Sequence, residues 1–222
     1  MTDLRNPSSA VDPGPRLWDI SPPVHSGTPV FPGDTPYAQD WTLTIGPDCP
    51  VNVGRLTFSP HVGAHADAPL HFDPAGAAVG LLDLEPFLGP CRVIHALGAP
   101  FVTVAHLAPH AEHLEARVLV RSYARRPQER FDPDLPAFDP AALEWLADRG
   151  VCLVGTDSAS VDPASSKTLD AHRVLRRRDL RVLENLCLDE IPEGRYELIA
   201  LPLRLTGADA SPVRAVLREA AP

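Results

Sequence analysis

The chain has 222 residues, which is enough for one sizeable domain with a buried core. Hydrophobic residues make up 44% of it and charged residues 22%, as is usual for a globular protein. The net charge of −9 disfavours a nucleic-acid-binding protein, which needs a basic face, and no apolar run approaches the length of a membrane span.

The chain starts with a polar segment that contains Pro13 and Pro15 and no apolar signal core. We expect a loose tail over residues 1–16, followed by a single domain over residues 17–222. The cysteines are far apart and form no Cys-x-x-Cys pair, which predicts free thiols in a cytoplasmic protein rather than disulfides or metal ligands. They are Cys49, Cys91, Cys152 and Cys187.

A histidine-rich run follows a predicted strand at residues 56–58. Three histidines and an aspartate lie within eleven residues: His61, His65, Asp67 and His71. Histidine nitrogens and carboxylate oxygens are the atoms that bind zinc and related divalent ions. The run therefore predicts a metal site, with a chance grouping of structural histidines as the alternative.

The local geometry of this run is predicted from its glycine and proline. Gly63 and Pro69 argue against a continuous helix, so we expect a turn at Gly63 and an extended return. Alternate residues of an extended segment face the same side, so His65, Asp67, Pro69 and His71 can share one side. The turn can bring His61 round to join them.

Further along, a second histidine cluster competes with the first. Residues 91–96 and 118–120 predict strands by their β-branched apolar content, and between them lie His106, His110 and His113. On a helix these three would share one face and could bind a metal. The segment follows Thr103, a plausible N-cap, and we interpret it as a surface helix.

The second half of the chain predicts a helix followed by strands. Asp139 is a good N-cap, Pro140 suits the first helical position and Gly150 suits the end, with Leu143 and Leu146 facing inward. Residues 151–155 form an apolar run typical of a strand covered on both faces, and residues 196–205 predict another long strand. Strands mixed with a few helices indicate an α/β fold.

The run at residues 61–71 resembles the H-x-G-T-H-x-D-x-P-x-H signature of the metal-dependent cyclase-like hydrolases, apart from Ala64 in place of the usual threonine. Within that family the chain is similar to the bacterial kynurenine formamidases (arylformamidases). The likeness extends from about Leu17 to the C-terminus and includes Trp18-Asp19-Ile20-Ser21-Pro22, Phe31-Pro32-Gly33-Asp34-Thr35-Pro36, Val51-Asn52-Val53-Gly54, Ser166-Lys167-Thr168-Leu169-Asp170-Ala171-His172, Leu201-Pro202-Leu203 and Ala210-Ser211-Pro212-Val213-Arg214.

The resemblance implies an α/β fold with a mixed β-sheet core and flanking helices, of the cyclase-like, swivelling β/β/α type. It also implies a pair of divalent ions per subunit, with zinc the natural choice and manganese or another divalent ion as alternatives. His61, His65 and Asp67 would hold one ion. Asp67 would bridge to a second ion bound by His172, and Glu184, otherwise a solvated residue of a helical stretch, would contact both.

The activity implied is hydrolysis of N-formyl-L-kynurenine to L-kynurenine and formate, by a homodimer that acts on a small molecule. His71 would move the proton from water to the leaving nitrogen, or else be a fourth ligand. Phe31 would form an aromatic wall against the substrate ring, with ordinary core packing of Phe31 as the alternative. The rival functions are a related hydrolase that opens a cyclic amide such as isatin, and a non-catalytic metal-binding scaffold.

Overall fold

The computed structural model describes residues 14–220. Nearly all of the expected tail, residues 1–16, therefore lies outside the described residues, as do residues 221–222. Among the described residues, no helix combines the length and the apolar character needed to cross a bilayer.

Short strands and a few short helices make up the described chain. The strands are β1 (Leu17–Asp19), β2 (Ala38–Leu43), β3 (Val53–Thr57), β4 (His65–Asp67), β5 (Leu88–His95), β6 (Phe101–Val102), β7 (Arg117–Arg121), β8 (Ala137–Phe138), β9 (Leu153–Thr156), β10 (Arg181–Glu184), β11 (Gly194–Ile199), β12 (Ala210–Pro212) and β13 (Val216–Glu219). The α-helices are α1 (Val104–Leu107), α2 (Pro140–Ala147) and α3 (Asp170–Arg178), and 3₁₀ turns cover Pro69–His71, Val79–Leu81, Glu85–Phe87 and Ala108–His113.

A mixed nine-stranded sheet in the order β1-β13-β11-β5-β7-β9-β10-β4-β12 is the centre of the fold. Its middle strands β5, β7, β9 and β10 are parallel, and antiparallel strands flank them on both sides. This is the mixed sheet that the resemblance implied. Parallel strands are buried on both faces in such sheets, which explains their continuous apolar sequences.

Alternate residues of the central strands enter different apolar clusters. In β7, Val118 and Val120 pack on the side of the helices, whereas Leu119 packs on the opposite side. The same alternation separates Val182 from Leu183 in β10. The helix-side cluster is closed by α2 and α3, and it is this side of the sheet that carries the site described below.

Most of the elements predicted from the sequence are confirmed. The helix α2 begins at Pro140, and the Asp139 carboxylate accepts a hydrogen bond from the Ala141 amide (2.9 Å). Leu143 and Leu146 are fully buried, as expected. The strands predicted at residues 56–58, 91–96, 118–120 and 151–155 correspond to β3, β5, β7 and β9.

Three local predictions were wrong in part. The extended return from Gly63 ends at Asp67, because Pro69 starts a 3₁₀ turn that carries His71. The stretch from His172 to Glu184 is helical only to Arg178, and Glu184 lies in strand β10. The strand predicted over residues 196–205 starts at Gly194 and ends at Ile199.

Candidate metal centre and active site

Strand pairing places three of the predicted ligands on one face of the sheet. Strand β4 carries His65 and Asp67, and it pairs antiparallel with β10 so that Glu184 lies opposite His65. Since alternate residues share a face, all three side chains lie on the helix side, where α3 brings His172 over them. All four residues are buried.

The tautomer of His65 is set by a backbone carbonyl. Its Nδ1–H donates to the carbonyl oxygen of Gly63 (3.0 Å), the residue of the turn whose φ is +72°. The opposite nitrogen, Nε2, faces Asp67 Oδ1 at 3.3 Å and Glu184 Oε2 at 3.4 Å. A neutral imidazole would point a lone pair at two carboxylates, which is favourable only with a positive charge between them.

His172 is oriented in the same way by a carboxylate. Its Nδ1–H donates to Asp162 Oδ2 (2.6 Å), and its Nε2 faces Asp67 Oδ2 at 3.5 Å and Glu184 Oε1 at 3.9 Å. Metal-ligating histidines typically donate their other ring N–H to a carboxylate or carbonyl in this manner, which fixes the ring. Both buried histidines therefore present Nε2 to the same pair of carboxylates.

Asp162 is a site residue that the sequence analysis missed. Its carboxylate also accepts hydrogen bonds from the backbone amides of Ala171 (2.9 Å) and His172 (3.0 Å), so it satisfies the first turn of α3. A carboxylate is stabilising at a helix N-terminus. Asp162 lies eight residues before the first residue of α3 and is not adjacent to it in sequence, so no local capping pattern identifies it.

Asp67 lies at the centre of the cluster. Its Oδ1 faces His61 Nδ1 at 3.0 Å and His65, while its Oδ2 faces His172. Both of its oxygens, together with the Nε2 atoms of His65 and His172, are buried and have no hydrogen-bond partner within the described chain. Each such atom costs about 1–3 kcal/mol if left unsatisfied, so four that converge fit a divalent cation.

The pKa values of His65 and His172 also indicate that the cluster favours a positive charge. Burial disfavours protonation of His65, yet the Asp67 and Glu184 carboxylates outweigh burial and raise its pKa to about 10. Burial likewise opposes the charge on His172, and Asp162 and Asp67 raise its pKa to about 10. Metal ions compete with protons for such nitrogens, so a bound cation would replace the protons.

The ligand atoms form two groups that share Asp67. One group is His61, Asp67 and His71, and the other is His65, Asp67 and Glu184; within each, the ligand atoms lie within 4.8 Å of one another. His172 adjoins Asp67 and Glu184 from helix α3. The structure thus brings together all the metal ligands suggested by the family resemblance, and it places His71 beside them.

A second carboxylate missed by the sequence analysis holds the two more accessible histidines. Asp209 Oδ2 accepts from His61 Nε2 (3.0 Å) and from His71 Nδ1 (3.2 Å), and the two imidazole rings lie 4.3 Å apart. Asp209 directly precedes β12 and is positioned by the pairing of β12 with β4. Beside this pairing, the Asp209 carbonyl accepts a hydrogen bond from the Ala68 amide (2.8 Å). With Nδ1 of His71 held there, Nε2 is the atom left to exchange a proton.

A cavity of about 520 Å³ opens above these residues. Phe31, which is 41% exposed and lies outside both apolar clusters of the core, contacts Phe131 edge-on with ring centroids 5.0 Å apart. Phe131 was not predicted from the sequence. Besides these two rings and the site residues, the lining includes Tyr123, Arg126, Arg130, Asp157, Lys167 and Asn185. The cavity therefore combines a cluster of ligand atoms that could hold a metal with an aromatic wall.

The competing histidines do not form a site. His106 Nδ1 accepts from the Thr103 amide (3.0 Å) and so completes the cap of α1. His110 faces Glu193 at 3.6 Å on the 3₁₀ turn that follows. In the described chain, none of His106, His110 and His113 belongs to a group of ligand atoms that could hold a metal. The interpretation of this segment as a capped surface helix is confirmed, although only its first turn is α-helical.

Comparisons with known proteins agree with this geometry. The family model described as "Putative cyclase" matches residues 18–163. The kynurenine formamidase of Delftia acidovorans is 66% identical over 204 residues, which cover 91% of this chain and 97% of that protein. A solved structure of a potential metal-dependent hydrolase with cyclase activity is 26% identical, has a TM-score of 0.79, and covers 94% of this chain and 100% of its own.

An isatin hydrolase bound to the product analogue thioisatinate has the same fold. It is 24% identical to this chain and has a TM-score of 0.79, and the alignment covers 93% of both chains. At this identity the similarity concerns the fold alone.

Proposed function

Because the chain belongs to the cyclase family, and to the kynurenine formamidases within it, we propose that its cavity is the active site of a metal-dependent arylformamidase. The enzyme hydrolyses N-formyl-L-kynurenine to L-kynurenine and formate, a step in tryptophan degradation. The observation that carries the proposal is the convergence of four buried, unbonded ligand atoms on the floor of a cavity with an aromatic wall.

The proposal includes two divalent ions per subunit, with zinc as the preferred metal and manganese as an alternative. His61, His65 and Asp67 would hold one ion, His172 and the shared Asp67 would hold the other, and Glu184 would contact both. The two oxygens of Asp67 face different histidines, which supports a bridging role. When bound, such ions polarise a carbonyl and lower the pKa of water from about 15.7 to about 7.

The residues of the chain supply the proton transfer and the positioning. The formyl carbon of an anilide is attacked by water, and the aniline nitrogen must gain a proton before it can leave. His71 takes the proton from water and returns it to nitrogen through Nε2, while Asp209 holds its Nδ1 (3.2 Å). General acid–base transfer of this kind contributes about 10²–10⁴-fold.

The ring of the substrate is held by the aromatic wall. Phe31 and Phe131 come from different loops, line the cavity and contact each other, so a benzene ring can pack against both. Such aromatic contacts are worth about 0.5–1.5 kcal/mol beyond area burial.

The cysteines form no disulfide, which supports the cytoplasmic location that we propose.

A substrate comparison tests the proposed function. We expect N-formylkynurenine to be hydrolysed at least about tenfold faster, in kcat/KM, than its N-acetyl analogue, because overpacking a close-fitting site costs about 1–3 kcal/mol. Formate release should stop after treatment with a chelator and return when a divalent metal is added back.

The same assay distinguishes the rival functions. If isatin is opened faster than the formyl anilide is cleaved, the protein is a cyclic-amide hydrolase with the same metal site. If the metal-loaded protein hydrolyses none of these compounds, the cluster belongs to a metal-binding scaffold.

A homodimer is the other part of the proposal, and the exposed hairpin of β2 and β3 supports it. Every residue of both strands is exposed, including Trp41 (57%) and Leu56 (54%). The pairing register puts Trp41 and Leu56 on the same face of the hairpin. Exposed apolar side chains that share a face mark interaction sites, and twofold dimers are the commonest soluble oligomers. Sedimentation should show a dimer, which W41K should weaken; a wild-type monomer at working concentration would contradict the proposal.

A further inference from the structure

Arg126 is a cavity residue with no role in the chemistry described above. It lies in the loop between β7 and β8, where its backbone amide donates to Asp189 Oδ1 (2.9 Å). Its Nη2 donates to the side-chain oxygen of Asn185 (3.1 Å), the residue that directly follows Glu184. Asn185 has a left-handed φ of +58°, and its amide donates to the Ser158 carbonyl (2.8 Å). The guanidinium is therefore tethered to the strand that carries a metal ligand.

This guanidinium has spare donors and no ion-pair partner within residues 14–220. Of its five N–H groups, only one of the two on Nη2 has a side-chain acceptor in the described chain. Two carboxylates act on its charge without forming an ion pair in the described chain: Asp157 accepts from the amides of Ser122 (2.9 Å) and Tyr123 (3.1 Å), and Asp189 accepts from the backbone amide of Arg126. Burial lowers the pKa of Arg126, against the opposing effect of Cys187 and these carboxylates. None of its guanidinium nitrogens is a buried atom without a partner, so the remaining N–H groups reach the cavity, where a ligand can supply acceptors.

The substrate leaves one charged group in need of such a partner. With the formyl group over the metal cluster and the ring against Phe31 and Phe131, the amino-acid tail of N-formylkynurenine must also lie in the cavity. That tail ends in a carboxylate, and the planar fork of arginine matches a carboxylate with two parallel hydrogen bonds.

We propose that Arg126 binds the α-carboxylate of the substrate's amino-acid tail and thereby sets the preference of the enzyme for N-formylated amino acids over simple formyl anilides. This inference rests on the proposed function. The other cations of the lining, Arg130 and Lys167, are exposed. Exposed ion pairs are worth only about 0–1 kcal/mol, so these two residues serve as controls.

The experiment pairs a change in the protein with the matching change in the substrate. N-formylkynuramine is N-formylkynurenine without its carboxylate, and it keeps the ring, the formyl group and the amine. For the metal-loaded wild type we expect kcat/KM to be about 10–150-fold higher with the carboxylate present, as for a hydrogen-bonded charge pair. The difference should lie mainly in KM, because the tail is bound equally in ground and transition states.

R126M should abolish this preference. Its kcat/KM for N-formylkynurenine should fall to about the level of N-formylkynuramine, whose own hydrolysis should change less than about threefold. R130M should keep the preference. An equal loss on both substrates in R126M would show a structural role and overturn the proposal, as would a wild type that does not discriminate between them.

Two further measurements keep the test independent of folding and of turnover. R126Q retains an amide donor for Asn185 while losing the charge, so it should reproduce the effect of R126M with unchanged metal content. Titration calorimetry of kynurenine and kynuramine should show the same loss of discrimination in binding. Wild-type protein that discriminates in binding but hydrolyses neither substrate would refute the proposed function and leave the role of Arg126 supported.

Discussion

D67N is expected to lose its metal and its activity together. Asp67 presents one oxygen to His61 and His65 and the other to His172, and neither oxygen has another partner in the described chain. An amide has no negative charge and offers only one oxygen to the cations. Because metal ions contribute several kcal/mol to transition-state stabilisation, activity should fall by more than about 10³-fold.

Elemental analysis of the purified variant, beside the formate-release assay, measures both losses. The wild type should hold close to a pair of ions per chain, and a fully active wild type with at most one ion would refute the two-metal proposal. The matched comparison is D162N, which alters a carboxylate that orients His172 without facing the ligand atoms of Asp67. Its metal affinity should weaken by about 10–100-fold, so excess metal should rescue D162N and not D67N.

H71A should keep most of the metal and lose turnover. His71 is exposed at the edge of the cluster, and its Nδ1 is held by Asp209, whereas His65 and His172 are buried with Nε2 directed at the shared carboxylates. Removal of a general acid–base group should reduce kcat by about 10²–10⁴-fold. The kinetic loss should exceed any change in metal content, which distinguishes this variant from D67N.

Metal content decides the interpretation of H71A. His71 also belongs to one of the two groups of potential ligand atoms, together with His61 and Asp67. If the metal content of H71A collapses along with its activity, His71 is a ligand and its assignment as the proton carrier is wrong. H113A, which removes an exposed histidine on the 3₁₀ turn after α1, is the control and should match the wild type.

The sequence by itself determined the part of the site that is local. His65 and Asp67 share a face because they alternate in one short strand, and Gly63 allows the turn that brings His61 to them. These contacts depend on neighbours within a few residues, so residue type and spacing suffice to predict them. The capped helix α2 and the apolar central strands were predictable for the same reason.

Only the tertiary structure decided the rest of the cluster. Glu184 and His172 were suggested by family resemblance alone, and it is the pairing of β10 with β4 and the packing of α3 that put them beside Asp67. Asp162 and Asp209 escaped prediction altogether, because each reaches its histidine through a loop or a strand pairing. Their spacing along the chain carries no signal for such contacts.

The aromatic wall and the role of Arg126 could not be predicted from the sequence for the same physical reason. The rings of Phe31 and Phe131 are in contact, with centroids 5.0 Å apart, because two loops that are far apart in sequence converge. Of the two arginines that line the cavity, Arg126 is distinguished from Arg130 by its partial burial and by the hydrogen bond from its guanidinium to Asn185. Burial and pairing are properties of the folded surface. The sequence therefore determines the chemistry of the metal-binding run, and the fold determines which distant side chains complete it and what substrate they admit.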